Sequence, residues 1–472
     1  MFYSTFFGIE IGKRALESQQ MAQTVVSHNI ANAATAGYSR QLVSLAATDP
    51  LNMASLNRQQ TPGQLGTGVN VSSILRVRDM MLEGQIQRET GVGAAWDTKK
   101  SYLGQVEQIV QEPTDQGLSQ SLEDFWAAWQ ELSVYPDDIA VRNVLLSRAE
   151  TVVNQLQSMD ADLEALQRQA DQAFRSHVER INELGSQIRD LNVQINQSLG
   201  METPPNDLLD KRDGLLRELS ELTDFEGHEM TNGLYAVTIN GHTLVQDNIF
   251  VPLQVVDDPM NNNYAMAQWS DDGSTLVYRE GKLAGLTEVR DTYLPGYRSS
   301  LNDLALGLMN SINPVHAAGY ALNAAAPSGQ VFFTGIDLQT MAVNPILTAD
   351  PTQLAAATQA SAPGDGSNAL AIAQLQSALI LSGGTQTAGE FYQEWIAQVG
   401  LDSEESQVRL DTQNLLVSGL EQQQESLVGV NLDEEMTNLM RYQDAYQAAI
   451  RVVSAMDEML NQLINQMGLV GR

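Results

Sequence analysis

Apolar side chains near the carboxyl end of the chain recur at alternating steps of three and four residues. This heptad spacing places them along one face of a helix, and residues 432–467 contain neither proline nor glycine to interrupt it. Three acidic residues occupy the first turn, where the helix dipole favours negative charge, and Gly468 follows as a C-cap residue. We predict a helix whose seam, the apolar stripe that faces a partner, consists of Leu439, Tyr442, Tyr446, Ala449, Val453, Met456, Leu460, Leu463 and Met467.

The amino-terminal stretch carries a weaker version of the same spacing. Its seam residues are smaller and partly polar, namely Ile11, Ala15, Ser18, Ala22, Val25, Asn29 and Asn32. An amphipathic helix alone in water has nothing to bury its apolar face against. We therefore predict that the two terminal helices form a coiled-coil-like pair. The period alone leaves a second interpretation open, in which they are separate surface helices of an ordinary globular domain.

Helical periodicity dominates between the two ends and gives way to a β-rich stretch near residue 225. The pattern predicts helices over 82–110, 118–132, 139–199 (one helix or two), 208–222, 282–313 with a break at Pro295, 368–381 and 391–424. Short strands are predicted at 38–45 and 69–74, and several more between 234 and 278. In that last stretch Asn240-Gly241 is a strong hairpin turn signal.

These elements predict a mainly α fold with nested parts. Residues 1–60 and 430–472 form a terminal coiled-coil assembly domain. A discontinuous, elongated helical-bundle domain takes 61–224, 281–318 and 367–429, and a small β-rich domain, 225–280, is inserted in it. Residues 319–366 read as an irregular segment with a few strands, which the pattern assigns to neither domain.

The formal net charge of −32 argues against a nucleic-acid partner, since phosphate binding needs a basic surface. The charge is concentrated in the interior of the sequence. Residues 1–60 carry a net +1 and residues 430–472 a net −3, so 61–429 carry −30. Nearly neutral ends suit a tightly packed inner assembly, because like charges in a repeating array repel. An acidic surface also aids solubility, and both interpretations stand.

Candidate chemistry is sparse along the sequence. The absence of cysteine excludes disulfides and thiolate metal sites, and the five histidines have no metal-ligand spacing. No HExxH, GxSxG or Gly-Lys-Ser/Thr motif is present. The first ten residues lack the basic and apolar regions of a cleaved secretory signal, and no stretch approaches the length of a membrane helix. We predict no catalytic residue, cofactor or metal. The many carboxylates leave a secreted acidic hydrolase as an alternative.

Two terminal motifs point to a family. Residues 27–41, SHNIANAATAGYSRQ, closely resemble the signature of the bacterial flagellar rod, hook and hook-associated proteins. Residues 430–449, VNLDEEMTNLMRYQDAYQAA, look like the matching carboxyl end. The ending Tyr38-Ser39-Arg40-Gln41 is similar to the hook-associated members, as are the internal stretches PNDLLDKRD at 205–213 and GKLAGL at 281–286. One departure is Val428-Gly429-Val430, where the family usually has Ser-Gly-Val.

The resemblance implies a structural subunit of the flagellum at the hook–filament junction. Its implied partners are further copies of itself in a ring, the hook protein, a second junction protein on the filament side, and an export chaperone on the carboxyl-terminal helix. It implies export through the flagellar type III apparatus to the cell exterior without a cleaved signal peptide. Another axial protein, such as hook or distal rod, is the alternative within the family.

The resemblance also implies which residues make the assembly contacts. They are the seam residues of the carboxyl-terminal helix together with Ile11, Ala15, Ala22, Val25, Asn29, Asn32, Gly37 and Tyr38. Gly37 is predicted to take a left-handed backbone conformation, which a residue without Cβ adopts at no steric cost.

Overall fold

A computed structural model describes residues 6–35, 37–50, 65–110, 112, 117–201, 204–230 and 233–466. The described helices are α1 (Phe7–Ala31), α2 (Met80–Val110), α3 (Leu118–Val134), α4 (Ile139–Gly200), α5 (Asn206–Leu222), α6 (Gly281–Glu288), α7 (Leu294–Ala318), α8 (Pro345–Ala349), α9 (Ser367–Ala373), α10 (Ala388–Val428) and α11 (Leu432–Gln466). The described strands are β1 (Gln41–Ala47), β2 (Val69–Arg76), β3 (Glu226–Glu229), β4 (Tyr235–Ile239), β5 (His242–Gln246), β6 (Ile249–Phe250), β7 (Leu253–Asp258), β8 (Tyr264–Trp269), β9 (Phe333–Thr334) and β10 (Ala342–Val343). The predicted mainly α fold class is confirmed.

The terminal helices α1 and α11 pack against each other in antiparallel directions. Near the start of α1, Gly12 lies against Val453 of α11. Towards its end, the Gln23 side chain donates a hydrogen bond to the carbonyl of Tyr442. The antiparallel strands β1 and β2 cover a second face of α1, where the Ser18 hydroxyl donates to the Val69 carbonyl over 3.2 Å. The chain ends thus form a small module of two helices and a hairpin.

The helical body is organised around α4, a single uninterrupted helix of 62 residues. At 1.5 Å per residue it runs about 90 Å. The Asp138 side chain caps it by accepting a hydrogen bond from the backbone N–H of Ala140. Its apolar stripe is buried from Leu145 to Ile195 against α3, α5, α6 and α7. Helices α2 and α10 pack side by side and extend the body.

The helix predicted over 282–313 does not break at Pro295. Helices α6 and α7 are instead joined by a π-helical turn, Val289–Tyr293, and Pro295 occupies the first turn of α7. Proline lacks an N–H and its ring crowds the carbonyl one turn earlier, and the wider π turn relieves both problems without ending the helix. The helix then continues to Ala318 through a second proline, Pro314.

The predicted β insert consists of two antiparallel sheets. Strands β3 to β6 form one in sequential order, and β7 pairs with β8 to form the other. Asn240 and Gly241 have φ of 47° and 83° and make the hairpin turn that their sequence predicts. The sheets pack on α4, and their buried residues belong to the same apolar core as the helices.

Residues 319–366 also contribute to this core. Phe332 and Phe333 are buried against Phe125 and Trp129 of α3, with ring centroids 5.0–6.2 Å apart. The segment otherwise contains the short strands β9 and β10, helix α8 and a 3₁₀ turn at Pro351–Gln353. The continuous core joins segments that the sequence pattern separates, and the division of the chain into domains stays a prediction.

Candidate functional site: the polar junction of the chain ends

The structure brings most of the predicted assembly residues to one helix–helix interface. On α1, Ser18, Ala22, Val25 and Asn29 are buried, while Ile11, Ala15 and Asn32 are half-buried. On α11, Ala449 and Leu460 are buried, while Leu439, Tyr442, Tyr446, Val453 and Met456 are half-buried. Leu463 remains 39% exposed, and Met467 lies outside the described residues. The intramolecular pair therefore covers only part of the carboxyl-terminal seam.

Two glycines that sequence reasoning missed allow the helices to approach closely. A Cβ at Gly12 would lie 2.5 Å from Val453 Cγ2, and one at Gly8 would lie 2.8 Å from the Met456 sulfur. Contacts this short do not occur between real side chains. A larger residue at Gly12 would push the stiff Val453 and α11 away, whereas one at Gly8 would first displace the flexible end of Met456. Their spacing of four residues, which puts both on one helix face, is the signal that could have identified them.

At the other end of the pair, the side-chain amide of Asn29 joins three segments of the chain. It is fully buried, and its Nδ2 donates to the Gln41 carbonyl over 2.9 Å and to Glu435 Oε2 over 3.0 Å. Its Oδ1 accepts from the Gln41 backbone N–H over 3.0 Å and from the Tyr38 hydroxyl over 2.8 Å. One amide thus fixes the end of α1, the start of β1 and the first turn of α11 relative to one another.

Arg40 completes this network with a charged pair. Its Nε and NH2 atoms lie 2.9 and 2.8 Å from Glu435 Oε1, and its NH1 atom lies 3.0 Å from Glu434 Oε2. Glu435 is only 1% exposed, so its charge depends on these partners to offset the cost of burial. We call Asn29, Tyr38, Arg40, Gln41 and Glu435 the polar junction.

Electrostatics in the polar junction keep the tyrosine hydroxyl protonated. Burial raises the pKa of Tyr38, and the nearby carboxylates of Asp207, Asp210 and Glu435 raise it further. A protonated hydroxyl is required for the hydrogen bond that Tyr38 donates to Asn29. The same hydroxyl lies 3.2 Å from Nδ1 of His28.

The start of α5 ties the polar junction to the helical body. Gln41 Nε2 donates to Asp207 Oδ1 over 3.2 Å, and Asn206 Nδ2 donates back to Gln41 Oε1 over 3.1 Å. One turn further along α5, Asp210 and Asp213 form ion pairs with Arg76 at the end of β2. The distances from Arg76 NH1 are 2.6 Å to Asp210 and 2.9 Å to Asp213. The internal motif at 205–213 therefore meets the amino-terminal motif in space.

This arrangement is suited to holding segments in register. Its carboxylates each accept hydrogen bonds from an arginine or an amide, which makes them fixed anchors. Sequence reasoning named Asn29 and Tyr38 but missed Arg40, Gln41 and Glu435. Those three lie inside the terminal motifs. Arg40 and Gln41 fall in the predicted strand at 38–45 and Glu435 in the acidic first turn of the last helix, and nothing in one sequence pairs position 40 with position 435.

Around the pair, α11 presents apolar side chains to solvent. On the described part of the helix these are Leu432, Met436, Met440, Ile450, Val452, Met459, Leu463 and Ile464, each between 39% and 72% exposed. Scattered apolar residues are normal on a surface, but this many on one helix is typical of an interaction surface. The described helices include none long and apolar enough to span a membrane.

Comparisons with known proteins agree with the placement of these motifs. A family model described as the flagellar hook-associated protein FlgK helical domain matches residues 103–333. Models for the flagella basal body rod protein and for the carboxyl-terminal part of the flagellar basal body rod FlgEFG protein match residues 9–38 and 422–467. These last two ranges contain most of α1 and all of α11.

Curated relatives extend the similarity over the full chain. Flagellar hook-associated protein 1 of Bacillus subtilis (strain 168) is 30% identical, over 99% of this chain and 100% of that protein. The chain belongs to the flagellar hook-associated protein 1 family. The Escherichia coli (strain K12) protein of the same name is 26% identical, over 95% of this chain and 98% of its own length.

A solved structure supports the fold of this hook-associated protein 1 family member. The flagellar hook junction protein FlgK from Burkholderia pseudomallei superposes with a TM-score of 0.64 at 17% identity, covering 73% of this chain and all of that one. Family membership makes the protein a structural component of the bacterial flagellum, at the hook–filament junction.

Proposed function

We propose that this protein joins hook to filament by assembling into a ring through its paired terminal helices. The observation that carries the proposal is the incomplete burial of α11. A helix with an intact heptad seam buries only Glu435, Ala449 and Leu460 among its described residues and exposes apolar side chains around them. A neighbouring copy of the same pair supplies the apolar surface that this exposed part of α11 needs.

In this proposal the polar junction sets the direction of α11. Glu435 lies in the first turn of α11, so its contact with Arg40 fixes where the helix begins its packing along α1. From there the helix runs over 35 residues, or about 50 Å, and its packing against α1 holds its direction. Neighbouring subunits can meet only if each presents α11 at the same angle.

The charge distribution supports an inner position for the terminal pair. The ends carry almost no net charge, whereas residues 61–429 carry −30. Packing the ends around an axis and turning the body outward keeps the like charges apart. The proposal assigns the protein no catalytic activity.

The proposed partners are further copies of this chain, the hook protein below the ring and a second junction protein above it. Before assembly the exposed apolar face of α11 needs protection, and we assign that role to a flagellar export chaperone. Export through the flagellar type III apparatus then brings the subunit to its site outside the cell.

A matched pair of substitutions tests the role of the polar junction in assembly. Glu434 and Glu435 are adjacent on α11 and both contact Arg40, but Glu434 is 58% exposed and only Glu435 also binds Asn29. We expect Glu435→Gln to reduce incorporation into flagella of a strain that lacks the native gene, and Glu434→Gln to assemble normally. Equal behaviour of the two variants contradicts the proposal.

Binding to isolated structures separates the axial alternatives. Purified protein is mixed with hooks that lack filaments and with rods that lack hooks, and bound protein is located by electron microscopy. We expect it at the tips of hooks. Binding to rod tips instead would identify it as a distal rod or hook component. In a separate assay, hydrolysis of a panel of glycans by the purified protein would support the alternative of an acidic hydrolase.

A further inference from the structure

A group of side chains in the β insert lies far from the polar junction. His242 begins β5, directly after the turn at Asn240 and Gly241, and Asp271 and Asp272 lie in the turn that follows β8. The His242 Nε2 atom is 3.5 Å from Asp271 Oδ1 and 3.5 Å from Asp272 Oδ2. Separated by about thirty positions in sequence, these residues meet because the two sheets pack together.

Their positions are fixed by contacts that leave the three donor atoms facing one another. The His242 ring stacks on Trp269, with centroids 4.0 Å apart and planes 15° from parallel. Asp272 Oδ1 accepts hydrogen bonds from the backbone N–H and the hydroxyl of Ser274 over 2.8 and 2.6 Å, which leaves its Oδ2 facing the imidazole. Asp271 Oδ1 is held by the Asp272 N–H over 2.9 Å.

The spacing of these atoms matches that of metal ligands better than that of a hydrogen bond. A good N–H···O bond spans about 2.7–3.2 Å, shorter than both contacts. Tetrahedral ligands at about 2.0–2.2 Å from a zinc ion lie about 3.3–3.6 Å from each other. The three donor atoms all lie within 4.8 Å of one another, and one small cation can reach them together.

The chemistry of the group also suits a divalent cation. Imidazole with two carboxylates is a ligand set that zinc accepts, and a chain of charge −32 attracts cations. The side chains of His242, Asp271 and Asp272 are 25–53% exposed, so water can complete the coordination.

We propose that His242, Asp271 and Asp272 form a zinc-binding site that fastens the β4–β5 hairpin to the turn after β8. Within the described residues, Nδ1 of His242 is buried without a hydrogen-bond partner. A zinc-bound imidazole usually donates its second N–H to an acceptor, and loss of that acceptor weakens binding about 10–100-fold. The site is therefore one of moderate affinity that responds to the concentration of free zinc.

Calorimetric titration of the full-length protein with zinc chloride tests the site. We expect one zinc ion per chain, and a rise in the melting temperature with zinc because the ion binds the folded hairpin. Asp272→Asn keeps the oxygen that binds Ser274 but removes a charged ligand, and His242→Gln removes the imidazole. Each is expected to weaken zinc binding at least about tenfold.

Two substitutions serve as matched controls. Asp337 accepts from the N–H and hydroxyl of Thr340 just as Asp272 does from Ser274, but it lies outside the group. His228 on the neighbouring strand β3 is exposed. Asp337→Asn and His228→Gln should bind zinc like the unaltered chain. The proposal is overturned if the chain binds no zinc, or if all four variants bind it equally, which indicates general attraction to an acidic surface.

Discussion

Helices α4 and α11 have the same kind of apolar periodicity but differ in how far their apolar side chains are buried. Along α4 the stripe is buried almost without interruption, and Leu163, Phe174 and Ile188 are fully inaccessible. Along α11 the seam is largely half-buried, and Met436 and Ile464 beside it are 48% and 72% exposed. The first helix finds all its partners within its own chain. The second keeps apolar surface available, and the proposed ring is what uses it.

The difference teaches that periodicity identifies a buried face without identifying the molecule that buries it. A pattern of three and four residues says that a helix needs an apolar partner. Whether that partner is another segment or another subunit depends on how much complementary surface the rest of the chain supplies. Four predictions test this comparison, in order of expected effect.

Leu460→Asp should abolish assembly and leave the body folded. Leu460 is 8% exposed in the seam of α11, and an unpaired charge there costs several kcal/mol in every subunit. The measurements are incorporation into flagella and the melting of the purified chain. Gln462→Asp adds the same charge on an exposed position two residues away and serves as control. Normal motility of the Leu460 variant would refute the assignment of α11 to assembly.

Leu163→Ala on α4 should lower the free energy of unfolding by about 2–5 kcal/mol, because the fully buried side chain leaves a cavity. Leu463→Ala on α11 makes the same chemical change at a position 39% exposed and should cost less than about 1 kcal/mol. Urea denaturation of the isolated chain measures both. If the two losses are equal, α11 is already buried in the monomer and the comparison fails.

His316 makes the stability of the body depend on pH. It is fully buried at the end of α7, where its Nδ1 lies 2.8 Å from the Gln330 carbonyl and its Nε2 accepts from the Ala355 N–H over 3.1 Å. Burial lowers the pKa of His316 to about 4. The unfolded state, with a pKa near 6.5, binds the proton first, so stability falls by about 3 kcal/mol from pH 6.5 to 4.

The check is the free energy of unfolding measured between pH 7 and 4. In His316→Gln this titration is removed, so the decline should be shallower than in the unaltered chain. The exposed His228 serves as control, and His228→Gln should keep the original slope. Parallel curves for the unaltered chain and the His316 variant would show that His316 is not the group responsible.

Arg40→Lys should loosen the terminal pair while leaving the body unchanged. Lysine keeps the charge but lacks the planar guanidinium group with which Arg40 contacts Glu434 and Glu435 at once. We expect the interaction to weaken by about 1–2 kcal/mol. Hydrogen exchange in α1 and α11 should quicken about tenfold, with no change in α4. Arg168→Lys alters an exposed pair with Glu164 within α4 and should have little effect. Uniform acceleration across all three helices would count against a local role.

Much of the fold could be predicted because local patterns are strong here. Helix α4 extends along its predicted apolar stripe, starting from the Asp138 cap. Asn240-Gly241 forms the hairpin turn that this residue pair predicts. The expected break at Pro295 was wrong, because whether a π turn absorbs a proline depends on the packing of α6 and α7 around it. Local signals also do not reveal that the β insert shares the core of the helices.

Less of the candidate site could be predicted. The seam of α11 can be recognised from its heptad spacing. Gly8 and Gly12, which allow α11 to approach α1 closely, look in the sequence like breaks in an apolar pattern. Arg40 and Glu435 lie 395 residues apart, and one sequence contains nothing that pairs distant charges. The family resemblance identified the two terminal motifs that carry the polar junction, but it did not indicate which of their side chains are in contact.

The antiparallel terminal pair also has a consequence for the order of events in a growing chain. Asn29 and Glu435 are 406 residues apart in sequence and 3.0 Å apart in the finished fold. A ribosome releases Asn29 long before it adds Glu435, so α1 must wait through nearly the whole of translation for its partner. A chain that ends before residue 435 cannot form this contact. The polar junction can therefore form only after nearly the whole chain has been made.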